Sequence, residues 1–223
     1  RQGPKKQLLE LARKNVEMGF FGDRRKVDAL GEALHLPRRP EVIECFDISH
    51  LAGTFSVGSM VQFRGGRPDK SQYRRFKIKT VEGQDDFASM KEVLTRRFDR
   101  WRRVSGGELK GTRGSQGWGK LPDLLVVDGG KGQLGMAVEV LQAFDLMAKV
   151  PVVGLAKRHE ELFKPGESRS LVLEPTDPAI LLLRRIRDEA HRFAITYHRQ
   201  RRQKLGLASQ IDEIPGIGPV KRR

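Results

Sequence analysis

The sequence has a single cysteine, no long hydrophobic run and no leader-like N-terminus. Because Cys45 has no second cysteine to pair with, an internal disulfide and a zinc site of clustered cysteines are both excluded. The longest apolar runs, such as LLVV and AILLL, are far shorter than the roughly 20 residues that cross a bilayer. Residues 1–20 are charged and do not resemble a signal peptide. We therefore expect a soluble protein of a reducing, cytoplasmic compartment.

Acidic residues are also scarce relative to basic ones. The 223 residues include 43 Lys and Arg against 28 Asp and Glu, which gives a formal net charge of +15. A surplus of this size attracts polyanions and steers them towards the protein. A membrane surface would favour basic residues gathered on one amphipathic helix, whereas here they are spread along the chain. The charge therefore favours nucleic acid as the partner, with a membrane surface as the weaker alternative.

The length is suited to one large domain with short appendages. The first 36 residues contain two short helical patterns separated by Gly19, and we assign residues 1–36 to a helical linker. The main domain is predicted to cover residues 37–205. Residues 206–223 form a third, short segment.

Strand patterns begin after Pro40. Residues 41–49, 54–63 and 72–79 are rich in β-branched and aromatic residues, and the glycine pair 65–66 predicts a hairpin between the second and third of them. The spacing predicts a three-stranded antiparallel meander. Residues 85–101 follow with apolar positions at helical intervals.

The second half of the main domain predicts a parallel β-α-β unit. Residues 121–128 and 150–157 are short apolar runs, and a helical pattern at residues 132–144 separates them. The fold class is therefore α/β, with a mixed sheet of three antiparallel and two parallel strands and flanking helices. A hairpin over residues 161–174 and a long helix from Pro178 to about Lys204 complete the domain.

Two aspartates lie where a carboxylate is unusual. Asp47 interrupts an apolar strand, and Asp128 directly follows one. A charge in such a strand is costly unless it is paired or bound to a metal. The middle strand of a meander commonly neighbours the first parallel strand, and ligand sites form at the carboxyl ends of parallel strands. If strands 41–49 and 121–128 are adjacent, the two carboxylates meet and Mg²⁺ or Mn²⁺ would relieve their repulsion.

A purely structural interpretation stays open for both aspartates. Asp47 could pair with an arginine, and Asp128 could simply form the Asp-Gly turn that follows it. On a basic protein, the functional alternative is metal-assisted hydrolysis of a phosphodiester.

The last helix supplies the third candidate residue. Its stripe of Ile186, Ala190 and Phe193 predicts a buried face, and His191 lies at the edge of that face. The histidine could reach the aspartates as a metal ligand or a proton-transfer group. The alternative is an ordinary boundary histidine bonded to Glu or to a backbone carbonyl.

Several residues could contact DNA phosphates. The sequence DGGKGQ lacks the phosphate-loop pattern and does not predict a nucleotide site, but its lysine could reach a phosphate. A Gly-Ile-Gly hairpin near the C-terminus could bind a phosphate through backbone N–H groups. The candidates for DNA binding are Lys131, Lys157, Arg158, Arg192, Arg199, Gly216 and Gly218.

Five strings in order, ECFDISH, LLVVDGGKGQL, GLAKRHEELF, RIRDEAHRFAITYHR and IPGIG, resemble the C-terminal half of the UvrC family of bacterial excision-repair nucleases. The resemblance covers nearly all of residues 5–223. It implies an RNase H-like endonuclease domain, followed by the start of a helix-hairpin-helix region at residues 206–223. It also implies incision of damaged double-stranded DNA on the 5′ side of a bulky lesion.

The resemblance places catalytic positions on Asp47, Asp128 and His191, with Mg²⁺ or Mn²⁺ as the cofactor. It further implies a role for an aspartate in GQDDFASM, which we place on Asp86, although spacing alone explains Asp86 as a helix-start residue. The family's GIY-YIG nuclease and its UvrB-binding segment lie outside this sequence. We expect a monomer that retains the 5′ active site and binds DNA weakly.

Two functions from different classes follow. The first is a metal-dependent DNA endonuclease that uses Asp47 and Asp128 to hold the cation. The second is a non-catalytic DNA-binding module of a repair complex, in which the acidic residues are structural. A polynucleotidyl transferase of the transposase type shares this kind of sheet, but its acidic set usually ends in Glu or Asp rather than His.

Overall fold

A computed structural model describes residues 4–51, 55–81, 83–109, 117–156 and 160–212. Of the residues at 4, 7, 11–21, 51, 55 and 197–212, only the backbone is described. The helices are α1 (Pro4–Ala33), α2 (Asp86–Ser105), α3 (Lys131–Ala143) and α4 (Pro178–Asp212). The strands are β1 (Val42–Leu51), β2 (Phe55–Arg64), β3 (Arg67–Pro68), β4 (Arg74–Lys77), β5 (Leu124–Val127), β6 (Val152–Leu155) and β7 (Leu162–Phe163), and a 3₁₀ turn covers Lys70–Gln72.

The strands form one mixed sheet in the order β3-β2-β1-β5-β6-β7, and β4 pairs with β2. β1 is antiparallel to β2 and parallel to β5, and β5 is parallel to β6. This arrangement confirms the predicted α/β class with an antiparallel part followed by a parallel part.

Helices cover both faces of the sheet, because the central strands are apolar on both sides. Alternate residues of β1 separate into two cores, with Ile43 and Cys45 in one and Phe46 and Ile48 in the other. Buried residues of α1 and α4 complete the first core, and buried residues of α2 and α3 complete the second. We call these sides the α4 face and the α2 face.

Two helices are longer than the sequence predicted. Gly19 does not break α1, which runs unbroken from Pro4 to Ala33. An interior glycine costs about 1 kcal/mol relative to alanine, and the burial of Val27 and Leu30 against the α4 face offsets such a cost. Likewise α4 continues past Lys204 to Asp212. The predicted cap is present, since Asp177 Oδ1 accepts the N–H of Ala179 at 2.7 Å.

The neighbour of the first parallel strand was predicted wrongly in one respect. β5 pairs with β1, the first strand of the meander, whereas β2 lies in the middle of the meander between β1 and β4. The parallel pairing buries β1 on both edges and both faces, as its apolar composition favours. The specific adjacency of strands 41–49 and 121–128 is therefore confirmed.

The structure contains a turn at two places where the sequence predicted a hairpin. Gly65 and Gly66 connect β2 to the short strand β3 with φ values of +55° and +78°, a backbone region that glycine adopts at little cost. The segment 161–174 makes a minimal hairpin, in which a single bridge joins Leu162 to Leu171. Among the described residues, no helix is long and apolar enough to cross a membrane.

Candidate active site

The register of the two central strands places Asp47 and Asp128 side by side. Phe46 of β1 is paired with Val127 of β5, so the next residue of each strand is an aspartate. The N–H of Asp128 also donates to the carbonyl of Phe46 at 2.9 Å. Both aspartates follow the alternation of the α4 face, and their side chains are 3% and 0% exposed. Both are thus buried carboxylates at the carboxyl end of two parallel strands.

The helix α4 brings His191 onto this pair. Ala190 and Ala194 are small and buried, and they let the helix lie close to the sheet. The hydroxyl of Ser59 on β2 reflects this closeness, because it lies 3.4 Å from the carbonyl of Asp47 and 3.5 Å from that of Ala190. The imidazole therefore projects from the edge of the buried face, as the sequence predicted.

The histidine ring lies between the two carboxylates. Its Nδ1 is 3.0 Å from Oδ2 of Asp47, and its Nε2 is 2.9 Å from Oδ2 of Asp128. The hydrogen bond to Asp128, followed by that to Asp47, raises the pKa of His191 from 6.5 to about 9, although burial opposes the shift. Both ring nitrogens donate only in the protonated imidazole, so one positive charge is shared between two negative ones.

The electrostatic field of the aspartates also reaches the neighbouring thiol. The pKa of Cys45 is raised by burial and further by the charges of Asp128 and Asp47. The cysteine lies on the same face of β1 as Asp47 and is fully buried. The charge of Arg187 opposes this shift in the pKa of Cys45.

The three side chains have the composition of a metal site. One ligand atom from each of Asp47, Asp128 and His191 lies within 4.8 Å of the other two. Two carboxylates and an imidazole can bind a divalent cation such as Mn²⁺. The 32% exposure of the His191 side chain leaves an approach from solvent. The predicted meeting of these three residues is confirmed.

Asp86 lies elsewhere, on the α2 face. It occupies the first turn of α2, where the preceding Asp85 caps the helix by accepting the N–H groups of Phe87 and Ala88. Its Oδ1 is 2.5 Å from Nε2 of His50. The structure therefore does not group Asp86 with the three candidate ligands.

Sequence reasoning missed His50. This residue is three positions after Asp47, so the alternation of β1 turns it to the opposite face, towards Asp86. Its Nδ1 also lies 2.9 Å from Oγ of Ser56 on β2. The period of two was visible in the sequence, but the strand's extension to Leu51 was not.

The predicted DNA-binding residues have different outcomes. Lys131 donates to the carbonyl of Ser168 at 2.7 Å, and Arg192 is exposed and ion-paired with Glu189 at 2.5 Å. The backbone of Arg199 lies in α4, but its side chain is not described. Lys157, Arg158, Gly216 and Gly218 lie outside the described residues. The assignments to DNA binding stay predictions.

The features above define an α/β domain with a buried carboxylate-histidine site at the carboxyl end of a mixed sheet. The sequence model of the UvrC RNAse H endonuclease domain matches residues 31–195. The chain belongs to this family.

Two curated relatives and one solved structure show what the chain is similar to. The chain is 55% identical over 204 residues to the UvrABC system protein C of Methanosarcina acetivorans, covering 92% of this chain and 37% of that protein. It is 45% identical over 233 residues to the UvrABC system protein C of Dehalococcoides mccartyi, again covering 37% of the relative. A solved endonuclease V of Ciona intestinalis aligns with 66% of this chain and 57% of its own, with 12% identity and a TM-score of 0.35. The chain thus spans little more than a third of these curated relatives.

Proposed function

We propose that this chain carries the endonuclease site of a nucleotide excision repair protein and makes the incision on the 5′ side of a bulky lesion. The observation that carries the proposal is the Asp47–Asp128–His191 cluster in a chain of the UvrC RNAse H endonuclease domain family. The substrate is damaged double-stranded DNA, for which a net charge of +15 is suited.

The cofactor in this proposal is Mg²⁺ or Mn²⁺, held by Asp47, Asp128 and His191. When bound, such an ion lowers the pKa of a coordinated water and neutralises charge on the phosphoryl group under attack. The two aspartates provide hard oxygen ligands at positions fixed by the β1–β5 register. The burial of their side chains keeps competing water away from those oxygens.

His191 has two roles in the proposal. Its ring bridges the carboxylates when it is protonated, which offsets their mutual repulsion in the metal-free protein. A ligand nitrogen must be neutral, so cation binding would release a proton from the imidazole. Hydrolysis would leave a 5′ phosphate and a 3′ hydroxyl.

The family resemblance also supports proposals about the partner, the oligomeric state and Asp86. A UvrB-type protein is the proposed partner, and the chain is proposed to act as a monomer. Asp86 is proposed to support incision from the α2 face through its contact with His50, without binding the cation. The divided domains, 1–36, 37–205 and 206–223, also stay predictions, although Val27 and Leu30 of the first segment are buried in the core.

The test is a nicking assay on supercoiled plasmid and on lesion-bearing duplex with Mn²⁺ or Mg²⁺. We expect the wild-type chain to nick in a metal-dependent manner and Asp47→Asn to lose at least about 10² in rate, because one charged ligand is removed. Glu139→Gln is the matched control, since that exposed glutamate on α3 is paired only with Lys91 in the described contacts. If Asp47→Asn nicks like wild type while DNA binding persists, the alternative of a non-catalytic DNA-binding module is correct.

A further inference from the structure

A row of three residues crosses the sheet from the candidate site to its edge. Asp47 of β1 is directly opposite Ser59 of β2, and Ser59 is directly opposite Arg75 of β4. Adjacent strands are about 4.8 Å apart, so the Cα atoms of Arg75 and Asp47 are separated by roughly 10 Å. Directly opposed residues of antiparallel strands project from the same face. Arg75 therefore lies on the α4 face, level with the aspartates.

The guanidinium of Arg75 is stacked on α4. Its Cζ lies 4.1 Å from the ring centroid of Phe193, which follows His191 by two residues. Arg75 is exposed, whereas Phe193 is half-buried. Stacking fixes the plane of a guanidinium, and the in-plane N–H groups of a fixed guanidinium suit bidentate contact with a phosphate. The same helix thus positions His191 and Arg75.

A second basic residue lies on the same strand as Arg75. Lys77 is two residues further along β4, on the same face, and is exposed. On α4, Glu189 accepts from Arg192 at 2.5 Å and from the hydroxyl of Tyr73 at 2.9 Å. β4 thus carries two exposed basic side chains on the face of the sheet that holds the two buried aspartates. Since carboxylates repel a phosphodiester, a nearby cationic contact would help to hold the strand in place.

We propose that Arg75, stacked on Phe193, binds a backbone phosphate of the DNA strand that is cut. This inference rests on the proposed function and extends it. It gives the path of the cut DNA strand over the protein, which runs from the aspartates across β2 to β4. Phosphates of one strand succeed each other by about 3.4 Å of helix rise, so roughly 10 Å places the contact within about three nucleotides of the incision.

The first test compares Arg75→Gln with Arg102→Gln. Arg102 is also exposed and stacks on a phenylalanine, with its Cζ 5.1 Å from the centroid of Phe144, but it lies on α2 across the sheet. Both variants are made in the Asp47→Asn background, so that the duplex stays intact. DNA affinity is measured by fluorescence anisotropy over a salt series. We expect Arg75→Gln to lower the slope of log affinity against log salt by about one and Arg102→Gln to leave it unchanged.

The conservative variant separates charge from geometry. Arg75→Lys keeps the positive charge and should restore most of the salt slope, while its affinity stays below that of the parent because the stacked, bidentate contact is lost. Equal slopes for Arg75→Gln and Arg102→Gln would overturn the proposal.

The second test locates the phosphate. Duplexes carry a neutral methylphosphonate at one linkage at a time on either side of the expected incision. We expect one linkage, within about three nucleotides of the cut, to weaken binding of the parent but not of Arg75→Gln, which is a non-additive pair. Equal losses for both proteins at every linkage would contradict the contact. Neither readout uses nicking, so failure of the proposed function and failure of this contact are distinguishable.

Discussion

Strand β1 carries two buried acidic residues, three positions apart, that differ in their partners and lie on opposite faces of the sheet. Glu44 faces α2, and Asp47 faces α4. Oε1 and Oε2 of Glu44 accept from Nη2 and Nε of Arg97 at 2.8 and 3.0 Å, and both side chains are at most 2% exposed. Two further N–H groups of Arg97 donate to the carbonyls of Trp118 and Lys120. The Glu44–Arg97 pair is thus electrically neutral and shielded from solvent, and we call it the closed pair.

Asp47 shares its counter-charge with a second acid. One imidazole serves both Asp47 and Asp128, and its exposure connects the cluster to solvent. The difference teaches that burial of a charge does not by itself mark a site. A neutral buried pair ties elements of the fold together, whereas two acids that share one accessible imidazole favour the binding of a cation.

The largest expected effect on stability comes from removing Arg97 from its pair with Glu44. Arg97→Ala leaves Glu44 buried without its partner, which should lower the free energy of unfolding by about 3–5 kcal/mol. Urea unfolding at neutral pH measures the loss. The double variant Glu44→Leu/Arg97→Met removes both charges and should recover a large part of it. An Arg97→Ala protein as stable as wild type would show that this pair is not structural.

A smaller effect on stability is expected when a cation is added to the cluster of Asp47, Asp128 and His191. Mn²⁺ at about 100 times its dissociation constant should stabilise the wild-type chain by about 2.7 kcal/mol, because it binds the folded state alone. Asp128→Asn should abolish the resulting rise in Tm, since it removes one of two charged ligands.

Asp86→Asn is the matched control for that measurement. It makes the same acid-to-amide change at an aspartate that contacts His50 rather than the cluster. We expect the Mn²⁺-induced rise in Tm to persist in this variant. Its loss would contradict the division of the acidic residues into ligands and non-ligands.

The smallest effect is the pH dependence of the metal-free chain. The pKa of His191 is raised from 6.5 to about 9 by Asp128 and Asp47. A raised folded-state pKa stabilises the fold fully below pH 6.5, and this contribution is lost as the pH rises to about 9. In EDTA, His191→Asn should show a flatter stability profile than wild type between these values. Parallel profiles in urea unfolding would contradict the shared imidazolium.

Much of the fold followed from local patterns. The alternating and apolar runs predicted β1, β2, β5 and β6, and helical periodicity predicted α2, α3 and α4. Local patterns failed where a long-range contact outweighed a local preference. Gly19 suggested a break in α1, but packing of that helix on the sheet favours continuity. The pairing of Arg97 with Glu44 was also missed, because a helix full of arginines gives no local sign of which one points inward.

The sequence by itself determined the residue types of the candidate site: two aspartates in apolar strands and a histidine at the edge of a helical stripe, in a basic chain. Those assignments depend on residue type and on short periods, which are local properties. Tertiary structure alone decided that Glu44 is neutralised by Arg97 and that Asp47 shares an imidazole with Asp128. It also placed Arg75 level with Asp47, because strand register and helix docking connect residues that are distant in the chain.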